Sequence, residues 1–169
     1  YFLDWNMMPK KLLIPIEYTF ISQRTIEYAL SLAQQDDYEI YLFRVANPKV
    51  VGRRIRRDTL SNALEKAMVS MDRILMRAIV EVSKTNDLQL DKVGAIHKRF
   101  SVGDLATEIL KMAGNISCDM ILMGVPSPED PDFEKGNFTF GGTCIGELVD
   151  KSPCSVYIRK TFDETFILL

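Results

Sequence analysis

The chain lacks any apolar run of the roughly 18–20 residues that a membrane-spanning helix needs. Its start also lacks the basic region followed by an apolar region that marks a secretion signal. Positive charge is not in excess: the formal net charge is −2, whereas a dedicated nucleic-acid binder is usually basic. A single histidine and three cysteines without metal-like spacing argue against a zinc site. These absences predict a cytoplasmic protein with reduced thiols, no transmembrane segment and no nucleic acid as partner.

What the chain does have is the size and composition of one globular domain. It contains 169 residues, of which 47% are hydrophobic and 26% are charged, enough to build a sizeable core. Residues 1–8 are interpreted as an N-terminal arm, residues 9–160 as an α/β domain, and residues 161–169 as a C-terminal tail. The aromatic start and the apolar tail suggest packing on the body, on a partner subunit or on a neighbouring domain. Because the first residue is Tyr1 rather than Met, one interpretation is a domain cut from a longer polypeptide.

Apolar runs and helical stripes alternate along residues 9–160. Strands are predicted at Lys11–Ile16, Tyr38–Val45, Leu90–Phe100, Asp119–Met123 and Ser155–Arg159. The helices between them have predicted N-caps at Ser22, at Asp104 and at Gly142 or Thr143, and the longest spans about Asp58–Thr85. Strands that alternate with helices indicate parallel pairing with helices on both faces and right-handed crossovers. The fold class is therefore α/β.

The last third of the chain carries the clearest functional pattern. The fourth strand ends in Gly124, a loop follows, and Gly141-Gly142-Thr143 then precedes a short helix. Glycines let the backbone approach an anion, and the free N–H groups at a helix start point at it. This arrangement is typical of a phosphate pocket in an α/β protein, although a flexible turn with an N-cap would give the same residues.

From about Pro9 to Lys160 the chain resembles the universal stress protein family. Three places carry the resemblance: Leu12–Glu17 at the first strand, Ser101–Asp104 before the third helix, and the series Met120–Gly124, Gly142–Thr143 and Ser152–Val156. The resemblance implies a Rossmann-like, doubly wound five-stranded parallel sheet with strand order 3-2-1-4-5. In such a sheet the ligand crevice lies outside the carboxyl ends of strands one and four.

The resemblance also implies which residues surround a nucleotide. The predicted nucleotide-binding residues are Pro15, Ile16, Glu17, Val45, Met123, Gly124, Ser127, Gly141, Gly142, Thr143 and Cys144. Nucleotide-binding members carry an Asp after the first strand and a Gly-x2-Gly-x9-Gly-Ser/Thr motif after the fourth. Here Glu17 replaces the Asp, Ser127 replaces the second glycine, and the loop is longer and acidic at Glu129, Asp130, Asp132 and Glu134. Acids beside a polyphosphate are repulsive unless a metal or a basic group intervenes.

The first functional hypothesis is an adenine-nucleotide-binding regulatory domain that acts as a sensor in the stress response. ATP or AMP would be the ligand, with Mg²⁺ as a companion, and catalysis would be at most weak ATP hydrolysis because no nucleophile–base pair is recognisable. One alternative is a dimeric interaction module that binds no ATP and has no cofactor. Another is a cytosolic regulatory domain of a larger, transporter-type protein that binds a different nucleotide, such as a cyclic dinucleotide.

Partner and single-residue predictions complete the list. Family members usually dimerise, which implies a homodimer through the last strand, Ser155–Arg159. The basic run at Arg53, Arg54, Arg56 and Arg57 is either a solvated loop or a site for a phosphate, an anionic membrane surface or an acidic partner. His97 is interpreted as a structural histidine. Cys144 follows a helix start, which would lower its pKa, but a buried structural thiol is the favoured interpretation.

Overall fold

The computed structural model describes residues 8–17, 20–48, 57–85, 88–125 and 142–160. The strands are β1 (Lys10–Pro15), β2 (Tyr38–Ala46), β3 (Ile96–Val102), β4 (Met120–Val125) and β5 (Ser155–Lys160). The helices are α1 (Phe20–Asp36), α2 (Arg57–Thr85), α3 (Leu105–Ile116) and α4 (Gly142–Lys151), and Leu90–Lys92 form a single 3-10 turn. Within these described ranges, no helix is both long and apolar enough to cross a membrane. The predicted arm and tail lie outside them, apart from Met8.

All five strands are parallel, and their order across the sheet is β3-β2-β1-β4-β5. The order confirms the predicted doubly wound fold. The order in which the chain adds strands reverses between β1 and β4: β2 and β3 lie on one side of β1, and β4 and β5 lie on the other. β1 and β4 pair directly, Leu12 with Met120 and Leu13 with Ile121. A crevice at the carboxyl ends of these two strands is the geometric consequence, because the connections that leave them go to opposite faces.

The core consists of two hydrophobic clusters, one on each face of the sheet. Successive side chains of a strand point to opposite faces, so Leu12 and Ile14 lie under α1 and α2, whereas Leu13 lies under α3 and α4. The cluster on the first face includes Ile26, Leu30, Ile40, Leu42 and Met71. The cluster on the second face includes Phe43, Ile109, Ile121, Met123 and Leu148. A sheet covered on both faces explains why its central strands are continuous apolar runs rather than alternating ones.

The third strand differs from its prediction at both ends. It begins at Ile96 rather than Leu90 and extends to Val102, because Leu90–Lys92 form the 3-10 turn. Between turn and strand, a Cβ on Gly94 would lie 2.6 Å from the carbonyl oxygen of Tyr38. The chain therefore crosses close to the backbone at the start of β2, and it can join the sheet only after this crossing.

The start of α1 also differs from its prediction. The helix begins at Phe20, so Ser22 lies inside the first turn instead of at the cap position. The Ser22 hydroxyl accepts a hydrogen bond of 2.8 Å from the backbone N–H of Glu17. The serine thus ties the start of the β1–α1 connection to the first turn of α1.

Candidate functional site

The candidate site is the crevice at the carboxyl end of the sheet, where β1, β4 and the start of α4 converge. β1 and β4 are parallel neighbours that pair at Leu13 and Ile121, so the ends of both strands lie at the same edge of the sheet. Gly142 opens α4, as predicted, and α4 packs on the same face of the sheet as α3. Backbone N–H groups at the first turn of a ten-residue helix are a suitable environment for an anion.

Glu17 is buried at this crevice, with only 7% of its surface exposed. Glu17 is therefore not a solvated loop carboxylate. Ser22 anchors its backbone N–H, and its negative charge acts on Cys144 across the crevice. The structure thus brings the end of β1 and the first turn of α4 together, as the predicted nucleotide-binding set requires.

Gly124 lies directly against helix α1. A Cβ at this position would be 2.0 Å from Thr25 Oγ1 and 2.9 Å from Ile21 Cγ2, both of which are side-chain atoms of α1. Thr25 Oγ1 itself donates a hydrogen bond of 2.7 Å to the carbonyl oxygen of Ile21. The absence of a side chain at Gly124 is therefore required by helix packing, whether or not a ligand approaches.

Four other predicted residues lie near the crevice but present little side chain to it. Ile16 is 2% exposed and Met123 is fully buried, and they belong to the clusters on opposite faces. Pro15 is the last residue of β1, and Val45 packs against the second cluster. The backbone of Ile16 is also engaged: its N–H donates to Phe43 O at 2.9 Å. A ligand would meet these residues as walls formed mainly by core side chains.

Cys144 has a thiol that is hard to ionise. Burial, together with the smaller effects of the negative charges of Asp104, Glu147 and Glu17, raises its pKa to about 11. The proposal that the helix start lowers this pKa is therefore wrong, because desolvation and three carboxylates outweigh the helix dipole. Cys144 is a structural thiol, and the crevice around it is acidic.

Asp104 caps α3, as predicted. Its Oδ2 accepts hydrogen bonds from the backbone N–H of Thr107 at 3.1 Å and from the Thr107 hydroxyl at 2.7 Å. These two bonds stabilise the ionised carboxylate and hold the pKa of Asp104 below its usual value. The cap places a negative charge at the carboxyl end of β3, beside the crevice.

Arg44 is a residue that sequence reasoning missed. It projects from β2, and its Nη1 donates a hydrogen bond of 3.2 Å to the carbonyl oxygen of Ile16 at the end of β1. It therefore brings a positive charge to the same end of the sheet as Glu17. The sequence does contain a signal for Arg44, because it is the one charged residue in the otherwise apolar run Leu42–Ala46.

Several predicted features lie outside the described residues: Ser127, Gly141, the acidic loop, Arg53, Arg54 and Arg56. The side chains of Thr143 and Arg57 and the surroundings of Gly142 are not described either. Within the described part of the chain, no three His, Cys, Asp or Glu side chains are close enough together to hold a metal ion.

His97 lies away from the crevice, near the amino end of the sheet. Its ring stacks on Tyr41 with centroids 4.4 Å apart, and its Nε2 is 3.7 Å from Glu39 Oε2. Tyr41 in turn donates a hydrogen bond of 3.2 Å to Glu39. These contacts fit the predicted structural role of the histidine.

A model of the universal stress protein family matches residues 8–160, and the chain therefore belongs to that family. Solved structures agree in fold. Universal stress protein UspA from Lactobacillus plantarum is 18% identical with a TM-score of 0.58, covering 89% of this chain and 97% of its own. A universal stress protein from Archaeoglobus fulgidus, in complex with dAMP, is 12% identical with a TM-score of 0.56, covering 90% and 98%.

A third universal stress protein, solved in complex with cAMP, is 12% identical with a TM-score of 0.58 and covers 90% of this chain and 98% of its own. At such identities these likenesses establish the shared fold. No curated protein matches the chain.

Proposed function

We propose that this member of the universal stress protein family is a regulatory domain that binds an adenine nucleotide at the carboxyl end of its sheet. The observation that carries the proposal is the place where the strand order reverses between β1 and β4: Glu17 is buried directly after β1, and its charge acts on Cys144 in the first turn of α4. The complexes of two structural neighbours with dAMP and with cAMP support an adenine nucleotide as the ligand class.

The charges around the crevice favour a ligand with few phosphates. Glu17, Asp104 and Glu147 all act on Cys144, so a polyphosphate would enter a negative potential. Arg44, which contacts the end of β1, offsets only part of that charge. We therefore expect AMP or cAMP to bind without a metal, and ATP to bind more tightly when Mg²⁺ neutralises its phosphates.

Calorimetric titration of the reduced protein with AMP, cAMP, and ATP with and without Mg²⁺ tests the proposal. The Gly142→Val variant should weaken binding about tenfold or more, equivalent to about 1.4 kcal/mol, because a branched side chain at the helix start obstructs the anion. Gly146→Ala is the matched control on the same helix, since a Cβ there meets nothing within 4 Å. Absence of binding by all ligands up to millimolar concentration would contradict the proposal.

The role proposed for this site is sensing, with at most weak hydrolysis of ATP. A sensor needs binding energy that changes the protein, whereas hydrolysis also needs a base or a metal that positions water. Phosphate release from ATP, measured for the wild type beside Gly142→Val, should stay at the level of the variant. Rapid ATP hydrolysis by the wild type that Gly142→Val abolishes would contradict the sensor role and indicate an ATPase.

A second candidate function is an interaction module that binds no ATP. Two observations favour it: packing against Thr25 alone accounts for Gly124, and the carboxylates around Cys144 disfavour phosphates. In that case the titrations would be silent while the protein stays folded and ligand-free. A nucleotide that copurifies in the crevice would exclude this candidate.

We also propose a cytoplasmic homodimer that forms through β5. This edge strand exposes apolar side chains, with Tyr157 45% and Ile158 39% exposed. An unprotected apolar edge strand tends to pair with another strand. Light scattering should give a dimer mass for the wild type and a monomer mass for Ile158→Lys, whereas Val80→Lys on the outer face of α2 should leave the dimer intact. A wild-type monomer at micromolar concentration would contradict the dimer.

A further inference from the structure

Two cysteines that are far apart in sequence meet at the amino end of the sheet. The Sγ atoms of Cys118 and Cys154 are 2.7 Å apart, across a sequence separation of 36 residues. Cys118 lies two residues before β4, and Cys154 lies one residue before β5. The two strands are neighbours, and Met120 pairs with Ser155. The sheet register therefore brings these thiols together, independently of the crevice at its other end.

Hydrogen bonds from their backbone N–H groups hold both cysteines in place. The N–H of Cys118 donates to Ala113 O at 3.0 Å, where α3 ends. The N–H of Cys154 donates to Ser152 Oγ at 3.2 Å, and this oxygen also lies 3.5 Å from Cys154 Sγ. A disulfide bond is about 2.05 Å long, so the two sulfur atoms need only a small further approach to become bonded.

We propose that Cys118 and Cys154 are a redox modification site that forms a reversible intramolecular disulfide with a low-molecular-weight disulfide, such as glutathione disulfide, as the oxidant. The pair is reduced in the structure, where all three cysteines are free. The consequence is a covalent link between the starts of β4 and β5, in addition to the hydrogen bonds that join the strands.

The order of the chemical steps follows from exposure. Cys118 is 8% exposed, whereas Cys154 is half-buried and easier to reach. The Cys154 thiolate attacks one sulfur of the oxidant, forms a mixed disulfide and releases one thiolate. Cys118 then loses its proton to solvent, attacks Cys154 Sγ and expels the second thiolate. The two protein thiols lose two electrons and two protons in total, and the oxidant becomes two thiols.

The environment of Cys118 suits the second step better than the first. Burial raises the pKa of its thiol, and contact with Cys154 raises it further. A thiol that rarely ionises reacts slowly with an oxidant in solution. Against a mixed disulfide held in contact, proximity compensates for the low thiolate fraction.

The experiment uses the full chain with Cys144→Ser, which removes the third thiol and leaves the pair. Two matched controls add Cys118→Ser or Cys154→Ser to this background. Each protein is equilibrated in glutathione buffers of increasing oxidised fraction, quenched by acid, alkylated and weighed by mass spectrometry. The chain that retains the pair should become lighter by two hydrogen atoms and carry no glutathione. The mixed disulfide of glutathione with Cys154 should persist at least about tenfold longer in the chain with Cys118→Ser than in the chain that retains the pair, because no second thiol resolves it.

Two outcomes would overturn the proposal. One is a pair that keeps both thiols free throughout the redox series while the protein remains folded. The other is a stable glutathione adduct on Cys154 in the chain that contains both cysteines, which would mean that Cys118 does not resolve it. The melting temperature provides a second measurement: oxidation should raise it for the chain with the pair and leave it unchanged for both controls.

Discussion

The two ends of the parallel sheet are built in different ways. At the amino end, where the strands begin, polar groups tie neighbouring strands together. The backbone N–H of Lys11 donates to Asp119 Oδ2 at 2.7 Å, and the N–H of Asp119 donates to Lys11 O at 2.9 Å. Cys118 and Cys154 make a further contact between β4 and β5 at the same end. These contacts join the starts of β1, β4 and β5.

The carboxyl end is built from a buried carboxylate, a closely packed glycine and an exposed cap instead. Glu17 is buried after β1, Gly124 is the penultimate residue of β4 and packs against α1, and the exposed Asp104 lies two residues after β3. The difference teaches that the side-chain contacts between β1, β4 and β5 lie at one end of the strands, whereas the residues of the proposed site lie at the other. Each of the following experiments weakens or strengthens one end, and the first also asks whether the other end responds.

The largest expected effect is the stabilisation of the amino end by oxidation of Cys118 and Cys154. A disulfide that closes a loop of this length lowers the entropy of the unfolded chain and stabilises the folded chain by about 3–4 kcal/mol. Urea unfolding of the oxidised and reduced Cys144→Ser protein measures the difference. If the two ends are independent, nucleotide affinity should be the same in both states. A large change in affinity would show that the ends communicate.

The next effect comes from Gly124→Ala at the carboxyl end. The added methyl group overlaps Thr25 Oγ1, so α1 must shift, and overpacking of this kind costs about 1–3 kcal/mol. Urea unfolding gives the loss. Thr25→Ala in the same chain removes the clashing oxygen and should recover a large part of it. Additive losses from the two substitutions, without any recovery, would contradict the contact.

A smaller effect is expected from Asp104→Ala, which removes the cap of α3. Loss of an N-cap costs about 1 kcal/mol. The pKa of Asp104 is lowered in the folded state by its bonds to Thr107, so its stabilisation is complete above the ordinary Asp value of about 4 and is lost as the pH falls through the lowered pKa. Asp104→Asn is the control, because asparagine also caps but does not titrate. Wild type and control should differ in the acidic limb of the stability profile and agree near neutrality.

The smallest effect is expected from Asp119→Ala, which removes one tie of the amino end. The carboxylate accepts from the Lys11 N–H at an exposed position, so its loss should cost about 0.5–1 kcal/mol. Asp119→Asn keeps an acceptor and should retain most of that stability. Hydrogen exchange of the Lys11 amide reports the bond directly. An unchanged exchange rate in Asp119→Ala would show that this tie does not protect the start of β1.

Local patterns in the sequence were sufficient to predict most of the elements, whereas the strand order was implied by the family resemblance. The runs at β1 and β2 and the helix start at Gly142 were within one residue of their observed positions, because burial on both faces makes such strands uniformly apolar. The error at Leu90 arose because an apolar residue beside polar ones looks the same in a strand and in a 3-10 turn. The close crossing at Gly94 depends on Tyr38, a residue distant in sequence.

The candidate site was harder to predict than the fold. The general place of the site follows from the sheet topology, and Glu17 is buried at that place. The high pKa of the Cys144 thiol could not be predicted, because its causes lie on three separate elements. The contact between Cys118 and Cys154 did leave a signal, since each cysteine immediately precedes a strand and the two strands are neighbours. That signal becomes visible only when the strand order is used to compare positions.

The packing of α1 on Gly124 has a consequence for how such chains evolve. A lineage that stopped using the ligand would still be under selection to keep glycine at this position, because any side chain there would push the helix away. Among descendants of a nucleotide-binding ancestor, the glycine near the end of β4 should therefore outlast the function, and its presence alone does not record whether the function persists.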